Sequence, residues 1–333
     1  MKKFPHIGSL KHAIQYAAKC NTSIDPSHAV STVVYTGTVK LHGTNAGVYI
    51  EDGGATFQPQ SRNRVLSVDN DNLGFAKFIT DPDRQSALME LVDDILCSNM
   101  IPRDTPITVF GEFIGPGIQQ KVAITKLPER QFVVFGVAVG ENQDRFINGK
   151  SLPQSSGQLG ILSITDVPVW EEVVDFRDQD SVDSFAECVT NYTTRVDENC
   201  PWGAKFGIDG HGEGIVWTPD NGNENLYFKS KGGSHNSDLQ KTNVTTSKIS
   251  SADPRVQDFV RKVVTESRLQ QGYDYLVEMG MAVDKTSTGK FLSWVGQDVQ
   301  RECEIDLQES GLVWKDVAKL VNATAAQWYA AKV

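Results

Sequence analysis

Cysteine is scarce in this chain. Cys20, Cys97, Cys188, Cys200 and Cys303 are scattered, odd in number and without metal-ligand spacing. That excludes a disulfide-stapled scaffold and a cysteine zinc site, and it points to a reducing cytoplasm, the host's if the protein is viral. Long apolar runs are also missing. None reaches the 18 residues that begin to suggest a membrane-spanning helix, so no membrane partner is expected. Behind Lys2 and Lys3 there is no apolar core of the kind a signal peptide needs. Positive charge is in deficit, with a net −10 over 333 residues, which argues against indiscriminate binding to nucleic acid. The deficit is local. Residues 1–50 carry five Lys/Arg against one Asp/Glu, residues 51–228 carry 13 against 28, and residues 229–333 carry 14 against 13. An acidic middle leaves room for a cationic groove at its edges.

What is present is ordinary globular material, 39% hydrophobic and 22% charged, long enough for two domains. Apolar stretches at Val33-Val34-Tyr35, Val39-Lys40-Leu41 and Gly47-Val48-Tyr49-Ile50 predict strands, the last two flanking a turn at residues 42–45. Residues 107–110 lead through Gly111-Glu112-Phe113 to the breaker Gly115-Pro116-Gly117, and residues 132–139 predict a buried strand. The acidic residues 166–199 suggest a partly helical peripheral insertion. Residues 214–217 and 226–228 form a hairpin candidate around Asn221-Gly222-Asn223.

The character changes near Gly232-Gly233-Ser234. A polar stretch to about residue 251 predicts a linker. Asp253 as N-cap and Pro254 in the first turn then open a helix with Val256, Phe259, Val260, Val263 and Val264 at helical spacing. Val313, Val317, Leu320, Val321 and Trp328 repeat that spacing, and Trp294 and Trp314 are expected in the same core. The expected fold is therefore α+β: a sheet domain over residues 1–240, then a small all-helical domain over residues 250–333.

Five segments carry chemistry. Lys40-Leu41-His42-Gly43-Thr44-Asn45 places a lysine at a strand end before a glycine turn. A free lysine is mostly protonated at neutral pH, but burial and nearby cations can lower its pKa and free a nucleophilic amine. Gly43 lets backbone approach a nucleotide. Ser61-Arg62-Asn63-Arg64 offers a guanidinium for phosphate or ribose, with Arg64 either a partner of Arg62 or a plain surface arginine. Glu112 and Glu213 each sit at a predicted strand end, and Lys229 and Lys231, two apart, share one side of a strand. One lysine nucleophile, two carboxylates, an arginine and a lysine pair suit binding of a triphosphate with Mg²⁺ and nucleotidyl transfer. Gly210, Gly212 and Gly214 mimic a phosphate loop, but a strand follows them where a helix is required. His211 and His235 lack metal-ligand companions and are expected at the surface.

In this order, K-L-H-G-T-N, S-R-N, F-G-E-F, F-V-V-F, E-G-I-V and F-K-S-K resemble the motifs of the covalent nucleotidyltransferases, over residues 30 to 235. Residues 111–119 are especially similar to RNA ligases of the viral RNA ligase 2 type. His42, where DNA ligases and capping enzymes usually have Asp, and the helical C-terminal region both favour that branch. The resemblance implies an antiparallel-sheet nucleotidyltransferase domain and an ATP-dependent RNA ligase that forms lysyl-AMP on Lys40 with Mg²⁺ as the metal. It implies that Asn45, Arg62 and Glu112 contact ribose and phosphate. Phe135 stacks on adenine, backbone at Val39 and Leu41 approaches it, Glu213 organises the metal, and Lys229 and Lys231 contact phosphate and assist catalysis. Arg268 and Asp298 would be a functional pair on the nucleic acid. Thr218 stands where many relatives have a basic residue. The expected partner is RNA at nicked duplex ends, and the protein is expected to act as a monomer. A DNA ligase, a GTP-using capping enzyme and a non-catalytic RNA-binding module are the alternatives.

Overall fold

The computed structural model describes residues 1–23, 29–119, 122–142, 145–233 and 253–333. The strands are β1 (Thr32–Lys40), β2 (Thr44–Glu51), β3 (Thr56–Ser61), β4 (Ile107–Ile114), β5 (Gln131–Val139), β6 (Arg145–Asn148), β7 (Ile161–Ser163), β8 (Trp170–Asp175), β9 (Gly214–Pro219) and β10 (Phe228–Lys231). The helices are α1 (Leu10–Asn21), α2 (Phe75–Ile79), α3 (Pro82–Ser98), α4 (Gln179–Glu198), α5 (Pro201–Lys205), α6 (Pro254–Val263), α7 (Glu266–Glu278), α8 (Thr288–Glu302), α9 (Glu304–Glu309) and α10 (Trp314–Lys332). The chain divides into two compact units, Met1–Gly232 and Gly233–Val333.

The first unit holds two sheets. One has the order β10-β9-β1-β8; the other has β3-β2-β4-β5-β6, with β7 adding in parallel to β5. Alternation of side chains across each strand gives each sheet two faces. In the four-stranded sheet Tyr35, Gly37, Trp217 and Phe228 share one face, packed on Phe185 of α4 with Tyr35 stacked on it at 5.2 Å. Gly37 has to be glycine there, because a Cβ would lie 2.8 Å from the Trp217 ring. Lys40, Lys229 and Lys231 therefore fall on the opposite face. In the larger sheet Phe113 and Phe132 pack on Phe75 of α2 at 5.3 and 5.0 Å, leaving Phe110 and Glu112 on the other side.

Several expectations shift. The turn after Lys40 is tighter than predicted, since Thr44 and Asn45 already belong to β2 and pair with Phe113 and Glu112. Residues 166–199 are no peripheral insertion. They supply β8, which pairs with β1, and α4, whose Val182, Phe185, Val189 and Val196 are buried. The acidic residues are the outer face of an amphipathic helix. The hairpin exists, but β10 begins at Phe228, because Asn223 caps a short 3₁₀ turn through Leu226. Among the described residues no helix is long and apolar enough to cross a membrane, and all five cysteines are free thiols.

The second unit is all helical in its described residues. Asp253 caps α6 by accepting from the Arg255 N–H, with Pro254 at the first position. Val256, Phe259, Val260, Val263, Leu269, Leu276, Phe291, Val295, Val299, Val317, Leu320 and Val321 form its core, with Trp294, Trp314 and Trp328 partly buried against it. Val313 departs from expectation: it precedes α10 and is 62% exposed. The predicted linker falls largely on residues 234–252 and His235 among them, which lie outside the described residues.

Candidate active site

β1, an interior strand of the four-stranded sheet, ends at Lys40, abreast of Gly214 on β9, which is in turn abreast of Lys231 on β10. Gly214 adopts φ +148°, and a Cβ there would lie 2.0 Å from the Ser230 carbonyl. Only glycine lets β10 come this close beneath the carboxylate that precedes it. That carboxylate, Glu213, is 3% exposed and flanked by two lysines and a histidine. Its Oε2 accepts from Lys40 Nζ at 2.6 Å and lies 3.3 Å from His42 Nδ1, while Oε1 lies 3.1 Å from Lys231 Nζ.

The second carboxylate comes from β4. Glu112 Oε1 accepts the Gly43 backbone N–H at 2.9 Å. A Cβ on Gly43 would lie 2.3 Å from the Phe113 carbonyl, so glycine permits this close approach. Gln119 Nε2 donates to the Gly43 carbonyl at 3.4 Å, tying the same turn from a third direction. The turn between β1 and β2 is thus fixed by Glu112 and Gln119, and Lys40 sits at its root.

The electrostatics separate the two carboxyls. Burial pushes Glu112 up from 4.5 to about 7, with Glu213 adding to the rise and Lys40 only partly opposing it. Burial would raise Glu213 as well, but Lys40, Lys231 and His42 together hold it well below the usual carboxylate range. Lys231 is lowered by burial and by its neighbours Lys40 and Lys229, against the pull of Glu213. Lys40 corrects the expectation of a depressed amine. Burial alone would lower it, yet Glu213 and Glu112 outweigh burial and the opposing charge of Arg62, and its pKa is raised. In this state the nucleophile candidate is an ammonium, held by its carboxylate.

The remaining predicted residues distribute as follows. Val39 and Leu41 are buried on either side of Lys40. Asn45 is the register partner of Glu112. Arg62 follows β3, is exposed, and is near enough to act on the Lys40 charge. Arg64 has a structural job: its guanidinium donates to the Asn70 and Asp71 carbonyls and to the Asn70 side chain, closing the 64–71 loop. Phe135 is partly buried, edge-on to Phe4 with centroids 5.1 Å apart. Lys229 donates its backbone N–H to the Gly8 carbonyl at 3.0 Å. Thr218 is buried, its hydroxyl donating to the Thr36 carbonyl at 3.4 Å. His211 is exposed, 2.6 Å from the Asp197 carbonyl.

In the helical unit Arg268 Nε donates to Asp298 Oδ2 at 2.8 Å, and Arg301 donates to the other oxygen at 2.6 Å. Arg268 and Asp298 are 14% and 10% exposed, an enclosed ion pair rather than two solvated helix charges.

Among the described residues no group of three or more His, Cys, Asp or Glu side chains gathers as a metal-ligand set. A hard divalent cation that works on a nucleotide needs only one or two carboxylates, with phosphates and water completing its shell. Glu213, an ionised carboxylate among the phosphate-binding candidates, fits that demand.

A protein-family model described as RNA ligase matches residues 33–231. No curated protein matches the sequence. Among solved structures, a variant of Naegleria gruberi RNA ligase with ATP and Mn is similar at 14% identity and a TM-score of 0.44, over 71% of this chain and 57% of that one. An apo variant of the same ligase gives 16% identity and a TM-score of 0.41, over 70% and 56%. A chain titled Pmar-Lig_Pre. gives 14% and 0.32, over 69% and 46%. This chain therefore spans little more than half the length of the Naegleria ligase. The RNA ligase match runs from β1 through β10 and so takes in Lys40, Arg62, Glu112, Phe135, Glu213, Lys229 and Lys231 together: the chain belongs to the RNA ligase family.

Proposed function

We propose that this chain is an ATP-dependent RNA ligase of the viral RNA ligase 2 type, joining 3′-OH and 5′-phosphate RNA ends at nicks in duplex RNA. The observation that carries the reading is the cluster of Lys40, Lys231, His42 and Glu213, with Glu112 one turn away. A binding module needs no half-buried lysine poised on an enclosed carboxylate beside a second lysine.

In the first step Lys40 Nζ attacks the α-phosphorus of ATP. The ammonium first gives a proton to water; a P–N bond then forms, the bond to the pyrophosphate oxygen breaks, pyrophosphate leaves, and the nitrogen gives its second proton to water. Lys40 must first give up its ion pair with Glu213, so a cation held by Glu213 would have to replace the positive charge that this ammonium supplies. Glu213 would hold the divalent ion, Mg²⁺, which neutralises charge on the phosphates when bound. Lys229 and Lys231 offset charge on the transferred phosphate, and Asn45, Arg62 and Glu112 position ribose and phosphate. Phe135 stacks on the adenine, which the backbone at Val39 and Leu41 approaches. AMP then passes from Lys40 to the RNA 5′-phosphate, and attack by the 3′-OH releases it.

The helical unit serves the RNA, with Arg268 and Asp298 as the pair that shapes its contact surface. The protein works as a monomer, and five free thiols suit a reducing cytoplasm. The test is sealing of matched nicked duplexes. ATP with a nicked RNA should give joined product; preference for a nicked DNA, or nucleotidyl transfer from GTP in place of ATP, would replace this reading with a DNA ligase or a capping enzyme.

A further inference from the structure

Residues 2–8 cross the face of the larger sheet that carries Glu112. At one end the Lys2 carbonyl accepts from Gln60 Nε2 at 2.6 Å, on β3. At the other, Gly8 donates to the Tyr227 carbonyl and accepts from the Lys229 N–H, both at 3.0 Å, so the segment runs alongside the start of β10. Between these two anchors Phe4 is set edge-on to Phe135 at 5.1 Å, to Phe110 at 5.3 Å and to Phe146 at 5.8 Å. Gly136, the neighbour of Phe135, makes room for it: a Cβ there would lie 3.1 Å from the Phe4 ring.

The four rings are not equivalent. Phe110 is 1% exposed, whereas Phe4 and Phe135 are only partly covered. They form the open rim of an aromatic group on the face that also presents Asn45 and Glu112. A ring serving the core alone would be buried, as Phe110 is. Register supports the same placement. Glu112 pairs with Val133, two residues before Phe135, and Phe110 pairs with Gly136 across an irregularity that leaves Phe135 without a partner on β4. Such a bulge re-aims a side chain and frees it to tilt, so its orientation depends on what it packs against.

We propose that Phe4 is a positioning residue for the nucleotide base: clamped between β3 and β10, it fixes the tilt of Phe135 and so the plane on which the base stacks. The inference rests on the reading of Phe135 as the stacking residue. Edge-to-face packing is directional, which makes the ring of Phe4, rather than its bulk, the operative feature.

The experiment is lysyl-adenylate formation by the full chain at varied ATP, for Phe4→Ala, Phe4→Leu, Phe4→Tyr, Phe135→Ala and the double variant. Phe4→Ala should raise KM for ATP about three- to tenfold, the worth of one aromatic pair, with a smaller change in kcat. Phe4→Leu should behave like Phe4→Ala, and Phe4→Tyr should restore the parent KM. In the double variant the two penalties should not add, because Phe4 acts through Phe135. If Phe4→Ala does not fold, Phe4→Leu decides alone. A KM unchanged in Phe4→Leu while Phe135→Ala raises it would overturn the proposal. So would a lowered KM, which would mean that Phe4 obstructs the base. An unchanged KM in Phe135→Ala would instead overturn the stacking assignment on which the proposal stands.

Discussion

Lys40 Nζ and Glu213 Oε2 lie 2.6 Å apart, in a cluster where the carboxylate is almost fully enclosed and the lysine about one-fifth exposed. The pair joins the last residue of β1 to the residue before β9, 173 positions later. A lysine so held is protonated, and the reaction proposed for it requires the neutral amine. The ion pair is thus the resting state that substrate has to open, and the surrounding charges should be as important as the lysine.

Replacing Glu213 with Ala should lower RNA sealing at least about a hundredfold, as loss of one preorganised electrostatic group does. Lys229→Ala should do the same from the opposite sign of charge. Rates of end joining within a few-fold of the parent, for either variant, would remove that residue from the machinery.

Glu112 gives a pH signature. Its folded pKa of about 7 exceeds its ordinary 4.5, so the folded protein binds the extra proton between those values. Its contribution to stability is therefore full below about pH 4.5 and is lost as pH rises through 7. Thermal unfolding of the nucleotide-free protein should show that loss, and Glu112→Gln should flatten it. Glu213 acts in the other direction: its lowered pKa gives stability above the ordinary carboxylate range that is lost as pH falls through the depressed value. An identical pH–Tm profile for parent and Glu112→Gln would mean that Glu112 titrates as an ordinary carboxyl.

Gly214→Ala should damage the site without touching a charged group. The added methyl would meet the Ser230 carbonyl at 2.0 Å in a backbone conformation with φ +148°. Destabilisation of about 3 kcal/mol or more is expected, in the range of overpacking joined to backbone strain. Denaturant titration measures it; a loss below about 1 kcal/mol would show that β9 and β10 can separate freely.

Ending the chain near residue 245 should leave adenylylation intact, since every group assigned to it lies in Met1–Gly232, a unit with its own buried core. Joining of a nicked RNA duplex should fall sharply. A folded truncation that no longer takes up AMP would assign part of the ATP site to the helical unit, and one that seals normally would free that unit of any role on RNA.

Much of this was legible in residue order. Glu112, Glu213 and Lys231 stand out as charged residues beside a glycine, and Lys40 and Lys229 as lysines that follow strand-like residues, although Glu112 lies within β4 and not at the strand end that the sequence suggests. Asp253-Pro254 marks a helix start that the structure contains, and Asp81-Pro82 at α3 carries the same signal, as Asp81 accepts the Arg84 N–H. What remained hidden depends on contacts far apart in sequence. The protonated state of Lys40 follows from Glu213 and Glu112 reaching it together, and no local pattern reports a sum of distant charges. The acidic stretch 166–199 looked peripheral because its charges dominate its composition, while Val182, Phe185, Val189 and Val196, spaced along one helix face, do the packing. Phe4 gave no signal at all, being a single aromatic in an irregular segment whose partners lie on β4, β5 and β6.

The most direct test is mass spectrometry of the protein after incubation with ATP and Mg²⁺, followed by peptide mapping. A single added AMP on Lys40 is expected, absent from a folded Lys40→Ala variant. Adenylate found on another lysine, or a Lys40→Ala protein that still acquires AMP, would contradict it.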